Sequence, residues 1–158
     1  DSSIKVEETT GALKFSDKGT KVQYMLAAPS VIPAVPDLKE LPPFDADITL
    51  DDEFINKYIK SKGALADADT FTFTCKNNKG EIILGYSSIN SNRISISVNC
   101  SCDNDIEPIA FSAKYLKEIL TANKGSKKSS LKISSKGLAH VAFEDGDYNS
   151  NYYLVEIK

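Results

Sequence analysis

The chain has 158 residues, 41% of them apolar and 26% charged, with a formal net charge of -3. That length allows one ordinary domain plus a substantial extra piece, or two very small domains, and the composition excludes a disordered or low-complexity chain. The acidic balance, with an isoelectric point near 5.2, excludes a protein that coats itself in nucleic acid, so any DNA contact must be local, on a basic face set into an acidic body.

The opening DSSIKVEETT has neither the basic start nor the apolar middle of a signal peptide. No apolar run in the chain approaches the ~18 residues of a membrane span, and the chain reads as cytosolic. The first 28 residues carry strand patterns, SSIKVEETTGALKF at 2–15 and QYML at 23–26, and no helical period. Residues 28–46, APSVIPAVPDLKELPPFDA, hold five of the six prolines. A stretch so rich in proline continues neither a helix nor a central strand, and it reads as a connector.

After the connector, ITLDDEFINKYIK at 48–60 predicts a short strand and then a helix whose apolar stripe is Phe54, Ile55, Tyr58 and Ile59. Thr49 or Asp51 can cap its start, and Gly63 marks its end. Strands follow: Phe71, Phe73 and Cys75 alternate with threonines, and KGEIILGY at 79–86 and SISV at 95–98 continue the pattern after turn residues at 77–80. Cys75, Cys100 and Cys102 are the three cysteines. The Cys-Ser-Cys pair is too close for a relaxed mutual disulfide, and a reduced compartment fits the odd count. The one histidine, His140, lies in an alternating strand pattern, and Asp103 and Asp105 follow no known ligand spacing, so no metal site is expected. Cys100 and Cys102 read as incidental thiols of a surface loop.

The second half repeats the first. IAFSAKYLKEILT at 109–121 aligns without a gap on 48–60, with Tyr115, Leu116, Ile119 and Leu120 in the places of the first stripe, Ser112 as cap and Gly125 beyond the end. KGLAHVAF at 136–143 matches 79–86, YYLV at 152–155 matches 95–98, and Leu131 and Ile133 alternate with Lys132 and Ser134. A third, partial copy opens the chain, since 2–15 echoes SSLKISSKGLAHVAF at 129–143 and QYML echoes YYLV. The fold class is therefore α+β. The division is a strand-only partial domain at 1–28, a connector at 29–45 and a complete domain at 46–158, built of two halves that each run strand, helix, then about three strands.

Opposite its buried stripe the first helix presents Asn56, Lys57 and Lys60, with Lys62 at its end; the second presents Lys114, Lys117 and Thr121, with Lys124, Lys127 and Lys128 just beyond. Acidic residues gather elsewhere, at Glu7 and Glu8, 103–107 and 144–147. Exposed helix lysines are commonly just solvated, and late ones favour the helix dipole. A DNA-facing role would suit lysine, a flexible point charge that attracts phosphate without reading bases. Arg93 is the only arginine.

The order of these pieces resembles the DNA sliding clamps, the processivity fold shared by phage clamps and proliferating-cell nuclear antigen. The resemblance is carried by KVQYMLAAPSVIPAVP at 21–36, IAFSAKYLKEILTA at 109–122 and LKISSKGLAHVAFEDGDYNSNYYLVEIK at 131–158, and it spans essentially the whole chain. It implies antiparallel sheets outside and helices on the inner face of a ring that encircles duplex DNA and tethers a replicative polymerase. No cofactor is implied. The lysines named above would face the DNA, and a hydrophobic pocket near the connector would receive short peptide tails of DNA polymerase and clamp loader. Its candidate residues are Val31, Ile32, Leu38, Leu41, Val155 and Ile157, which could equally staple the connector to the sheet.

Phage clamps of this kind have two full domains per subunit and assemble as trimers in the infected bacterial cytoplasm. This chain begins without methionine, inside what would be the first domain. It reads either as a fragment of a longer product or as a reduced form whose exposed half-domain is covered in some other way.

Enzyme chemistry has no footing in the sequence. It shows no glycine-rich phosphate loop and no nucleophile elbow, and the acids Asp51 and Asp52 are explained by helix capping. Tyr152, Tyr153, Tyr24, Phe71 and Phe73 could be taken for a base-stacking platform, but core or cross-strand packing accounts for them better. The alternative of a different class is a β-rich phage structural or adaptor protein that binds only other proteins.

Overall fold

A computed structural model describes residues 4–32, 40–85, 92–102 and 104–158. The chain divides into two compact units, Asp1–Glu40 and Leu41–Lys158.

The first unit is a three-stranded antiparallel meander of β1 (Lys5–Thr9), β2 (Ala12–Asp17) and β3 (Thr20–Met25). Its tight turns use left-handed backbone at Gly11, and at Lys18 followed by Gly19, conformations that glycine adopts without a Cβ clash. Directly paired residues share a face, so the register Val6 to Phe15 to Val22 and Glu8 to Leu13 to Tyr24 gathers the apolar side chains on one side. That side is poorly covered: Val6 is 59% exposed and Tyr24 66%. After β3 a single 3-10 turn, Pro29–Val31, begins at the first proline of the connector.

The second unit consists of β4 (Ala46–Thr49), α1 (Asp52–Ala64), β5 (Thr70–Lys76), β6 (Lys79–Leu84), β7 (Ile94–Cys102), β8 (Ile106–Ser112), α2 (Ala113–Ala122), β9 (Lys128–Ser134), β10 (Leu138–Asp145) and β11 (Tyr148–Val155). Each half therefore runs strand, helix, three strands. The eight strands form one antiparallel sheet in the order β11-β10-β9-β4-β7-β6-β5-β8. The leading strand of each half crosses to the other half: β4 pairs with β9, and β8 pairs with β5. The exchange is reciprocal, as a two-fold repeat requires. The outer strands also approach each other, because the Ile157 amide beyond β11 donates to the Ala110 carbonyl of β8 at 2.8 Å.

Both helices lie against the same apolar sheet face and pack on each other. Between helices and sheet is one core that includes Ile48, Phe71, Phe73, Phe111, Leu131 and Val141. In α1 the predicted stripe is found, with Phe54, Ile55 and Tyr58 buried and Ile59 half-buried. Tyr58 is the keystone: fully buried, it meets Phe71 edge-on at 6.0 Å, and its hydroxyl donates to the Ala113 carbonyl at the start of α2 at 3.3 Å. In α2 the stripe is narrower than the repeat suggests. Ala113, Leu116 and Leu120 are buried, whereas Tyr115 is 59% exposed. A ten-residue helix seated through positions i, i+3 and i+7 leaves its i+2 side chain on the rim.

Capping follows the expected chemistry. The Asp51 carboxylate accepts from the Phe54 amide at 2.7 Å, and the Ser112 hydroxyl from the Tyr115 amide at 3.2 Å. Gly63 does not end α1, which continues to Ala64. Gly63 sits on the open side of the helix, where a glycine costs only about 1 kcal/mol. Gly125 does take up a left-handed conformation just beyond α2. Tyr152 stands edge-on to Phe143, and Tyr153 stacks on His140 of the neighbouring strand at 4.7 Å, so these rings are used in cross-strand packing. Tyr24, by contrast, projects from the first unit.

Candidate nucleic-acid interface

The helices are placed by their apolar stripes, and the lysines follow from what is left. Lys57 and Lys60 on α1 and Lys114 on α2 are exposed, Lys117 is half-buried, and none of the four forms an ion pair among the described residues. Lys114 and Lys117 share a groove with Lys62, Glu118 and Thr121. Lys57 lines a separate depression beside Asp51, Glu53 and the β7 residues Ser97 and Asn99. The basic groups are therefore spread over the two helices, with Glu53 and Glu118 interspersed. Such a distribution offers diffuse attraction to a charged backbone and no fixed fork for a single base.

Four of the lysines named from the sequence have other settings. Lys62 is only 9% exposed, and its ammonium donates to the carbonyls of Ala66 at 2.6 Å and Leu65 at 3.4 Å. It folds over the carbonyls just past the end of α1, near the negative end of the helix dipole, which attracts a cation. Sequence spacing placed Lys62 at the helix exit but could not show that its side chain folds back. Lys128 lies on β9 and pairs with Glu144 of β10 at 3.3 Å, so it belongs to the sheet, with its charge partly matched. Lys124 and Lys127 are exposed in the turn after α2. Replacing Lys62 with methionine is expected to lower stability by about 1–2 kcal/mol, the value of a charge-assisted hydrogen bond. Urea unfolding of the two chains checks this.

The residues expected to receive a partner peptide are distributed over both units. Val31 (69% exposed) and Ile32 (57%) lie in the first unit, and Leu41 (41%), Val155 (71%) and Ile157 (45%) in the second. Leu38 lies outside the described residues. Val155 and Ile157 stand two apart on the segment that bonds to β8, which leaves apolar side chains exposed beside an ordered backbone.

The cysteines do not lie in a surface loop. Cys100 and Cys102 are on β7, and Cys75 of β5 is fully buried beside them, paired with Cys102 as a disulfide while Cys100 is a free thiol. The missed signal was their common face, since Cys75, Cys100 and Cys102 continue the core alternation of Phe71, Phe73, Ile96 and Val98. Asp103 lies outside the described residues. No helix among the described residues is long and apolar enough to cross a membrane.

No protein-family profile and no curated protein sequence matches the chain. Solved structures do. The proliferating cellular nuclear antigen of Entamoeba histolytica superposes with a TM-score of 0.67 at 18% identity, over 98% of this chain and 63% of that one. The beta chain of DNA polymerase III from Streptococcus pneumoniae TIGR4 gives 0.66 at 15% identity, over 98% and 41%. The structure of the C-terminal region of FEN-1 bound to A. fulgidus PCNA gives 0.65 at 19%, over 98% and 64%. The chain spans less than two thirds of the length of each of these proteins. What two strand-helix-strands halves, exchanging their leading strands under a pair of helices, amount to is the sliding-clamp fold.

Proposed function

We propose that this chain is part of a DNA sliding clamp of the phage type, a non-enzymatic ring subunit that encircles duplex DNA and holds a replicative polymerase to it. The observation that carries the reading is the combination of this fold with lysines on both helices, Lys57, Lys60, Lys114 and Lys117, that form no ion pair among the described residues. The acidic groups Glu144, Asp145 and Asp147 lie on the β10–β11 hairpin and not on the helices. A ring that slides requires phosphate attraction without base readout, and scattered lysines supply it. In this reading residues 46–158 form a whole clamp domain and residues 1–28 the closing part of another, joined by the proline-rich connector at 29–45.

The exposed apolar face of the first unit supports association, because an uncovered sheet face of this kind is buried in most stable proteins. Val31, Ile32, Leu38, Leu41, Val155 and Ile157 are proposed to take apolar peptide tails of a polymerase and a clamp loader. A protein clamp bound to the C-terminal region of another protein is represented among the structural neighbours. The setting would be the cytoplasm of an infected bacterium.

Light scattering across a concentration series tests the proposal, because tethering by encirclement depends on closure. A closed assembly of fixed stoichiometry, trimeric if the phage pattern holds, is the expected mass. A monomer at every concentration that is also indifferent to duplex DNA would favour an adaptor that binds only proteins.

A further inference from the structure

The clearest feature that a clamp does not require is the cluster of sulfurs at one end of the core. Cys75 lies on β5 and Cys100 and Cys102 on β7, two strands separated by β6. Side chains two strands apart normally cannot meet. Here the intervening position is Gly80, which pairs with Cys75 on one side and Val98 on the other. A Cβ at Gly80 would stand 2.7 Å from the Cys100 sulfur and 2.8 Å from Val98 Cγ2. The missing side chain is the space in which the sulfurs gather. The Cys100 sulfur is 3.5 Å from that of Cys75 and 3.2 Å from that of Cys102.

We propose that in the reduced chain Cys75, Cys100 and Cys102 form a three-thiolate site for one soft thiophilic cation of the zinc and copper(I) class, and that the Cys75–Cys102 disulfide is its oxidised, metal-free state. Three observations support this. All three sulfurs lie within 4.8 Å of one another. Sulfurs bound to one metal at about 2.3 Å stand roughly 3.8 Å apart, a few tenths of an ångström beyond the two Cys100 separations and within reach of small side-chain rotations. The Cα atoms of Cys75 and Cys102 are 7.1 Å apart, wider than the ~4.4–6.8 Å most disulfides span, a spacing that suits sulfurs meeting at a shared ion.

Asn78 accepts from the Cys102 amide at 3.3 Å, and Asp105, just beyond β7, accepts from the Asn77 amide at 2.9 Å, so the β5–β6 turn is held to the end of the strand that carries two of the sulfurs. Cys75 is buried, but Cys100 and Cys102 are half-exposed, which gives an ion a way in. Opening the site consumes one external dithiol, which gives two electrons and two protons to the disulfide and leaves as its own disulfide. The ion then replaces the three thiol protons, which pass to water.

The test is a titration of the full chain with Cd²⁺ after reduction by a phosphine and its removal under argon, read by the ultraviolet sulfur-to-cadmium charge-transfer band. One equivalent per chain is expected, displaced by Zn²⁺, with no band in the disulfide form. Cys100→Ser and Cys102→Ser should each weaken binding by at least about 100-fold, since even loss of an outer-shell partner costs 10–100-fold. Both positions are half-exposed, so the variants should keep the native circular dichroism. If one of them does not, the other carries the test, together with metal-dependent thermal stabilisation of the unaltered chain. A reduced chain without the one-to-one band, or a Cys100→Ser variant that binds as tightly as the original, would overturn the proposal.

Discussion

Reversing Lys57, Lys60, Lys114 and Lys117 to glutamate together is expected to lower affinity for duplex DNA by at least about 100-fold at low salt, roughly 2.7 kcal/mol. The physical basis is counterion release. Each phosphate neutralised contributes about 0.9 to the slope of log affinity against log salt, so losing four contacts flattens the slope by roughly 3.6. Glutamate also adds repulsion beside Glu53 and Glu118, which already line the two depressions. Three of the four lysines are exposed and Lys117 is half-buried, with no ion pair broken among the described residues, so stability should change by only about 0.5 kcal/mol per site. The effect should be the same on unrelated sequences. Fluorescence anisotropy on two duplexes across a salt series measures both quantities, and an unchanged slope would mean that the helices do not face DNA.

Tyr58→Ala should cost about 4 kcal/mol, a large share of the 5–15 kcal/mol that holds a domain of this size. The side chain is fully buried, joins α1 to Phe71 of β5, and reaches the first residue of α2 with its hydroxyl. Removing the ring leaves a cavity where the two helices and the sheet meet, and the helices are what would carry the lysines. Tyr58→Phe removes only the hydroxyl and should cost about 1 kcal/mol. The same burial holds the Tyr58 phenol well above the usual tyrosine value. The folded state thus keeps its proton where the unfolded chain has lost it. The stabilisation is complete below about pH 10 and falls as pH rises beyond it, by about 1.4 kcal/mol per pH unit until the folded phenol itself ionises. Urea midpoints measured from neutral to strongly alkaline pH should show that decline in the unaltered chain and a shallower one in Tyr58→Phe.

Much of this arrangement was legible because it is local. Phe54, Ile55 and Tyr58 declare a helix face by their spacing, Asp51 and Ser112 declare its start, and the ungapped match of 48–60 to 109–121 declares the duplication. What the spacing could not convey was long-range. Nothing in the pattern of β4 or β8 says that each pairs across to the other half, since alternation fixes the face of a strand and not its neighbour. Lys62 failed for a related reason: a lysine in a last turn can point to solvent or fold onto the carbonyls just past the helix, and only the path of residues 65–66 selects the second. Tyr115 follows the repeat in sequence, but the shorter second helix is seated more narrowly. The sulfur cluster was hidden by its dependence on Gly80, a residue whose contribution is the space it leaves.

Retention on circular against linear DNA tests encirclement most directly. The protein is assembled at high concentration on a nicked duplex circle, passed through a sizing column at moderate salt, and compared with the same DNA cut once. Encirclement predicts co-elution with the circle and loss from the linear form, whose ends release a ring that slides. Equal retention on both would mean ordinary electrostatic binding, and absence from both would mean that DNA is not the partner; either result contradicts the account.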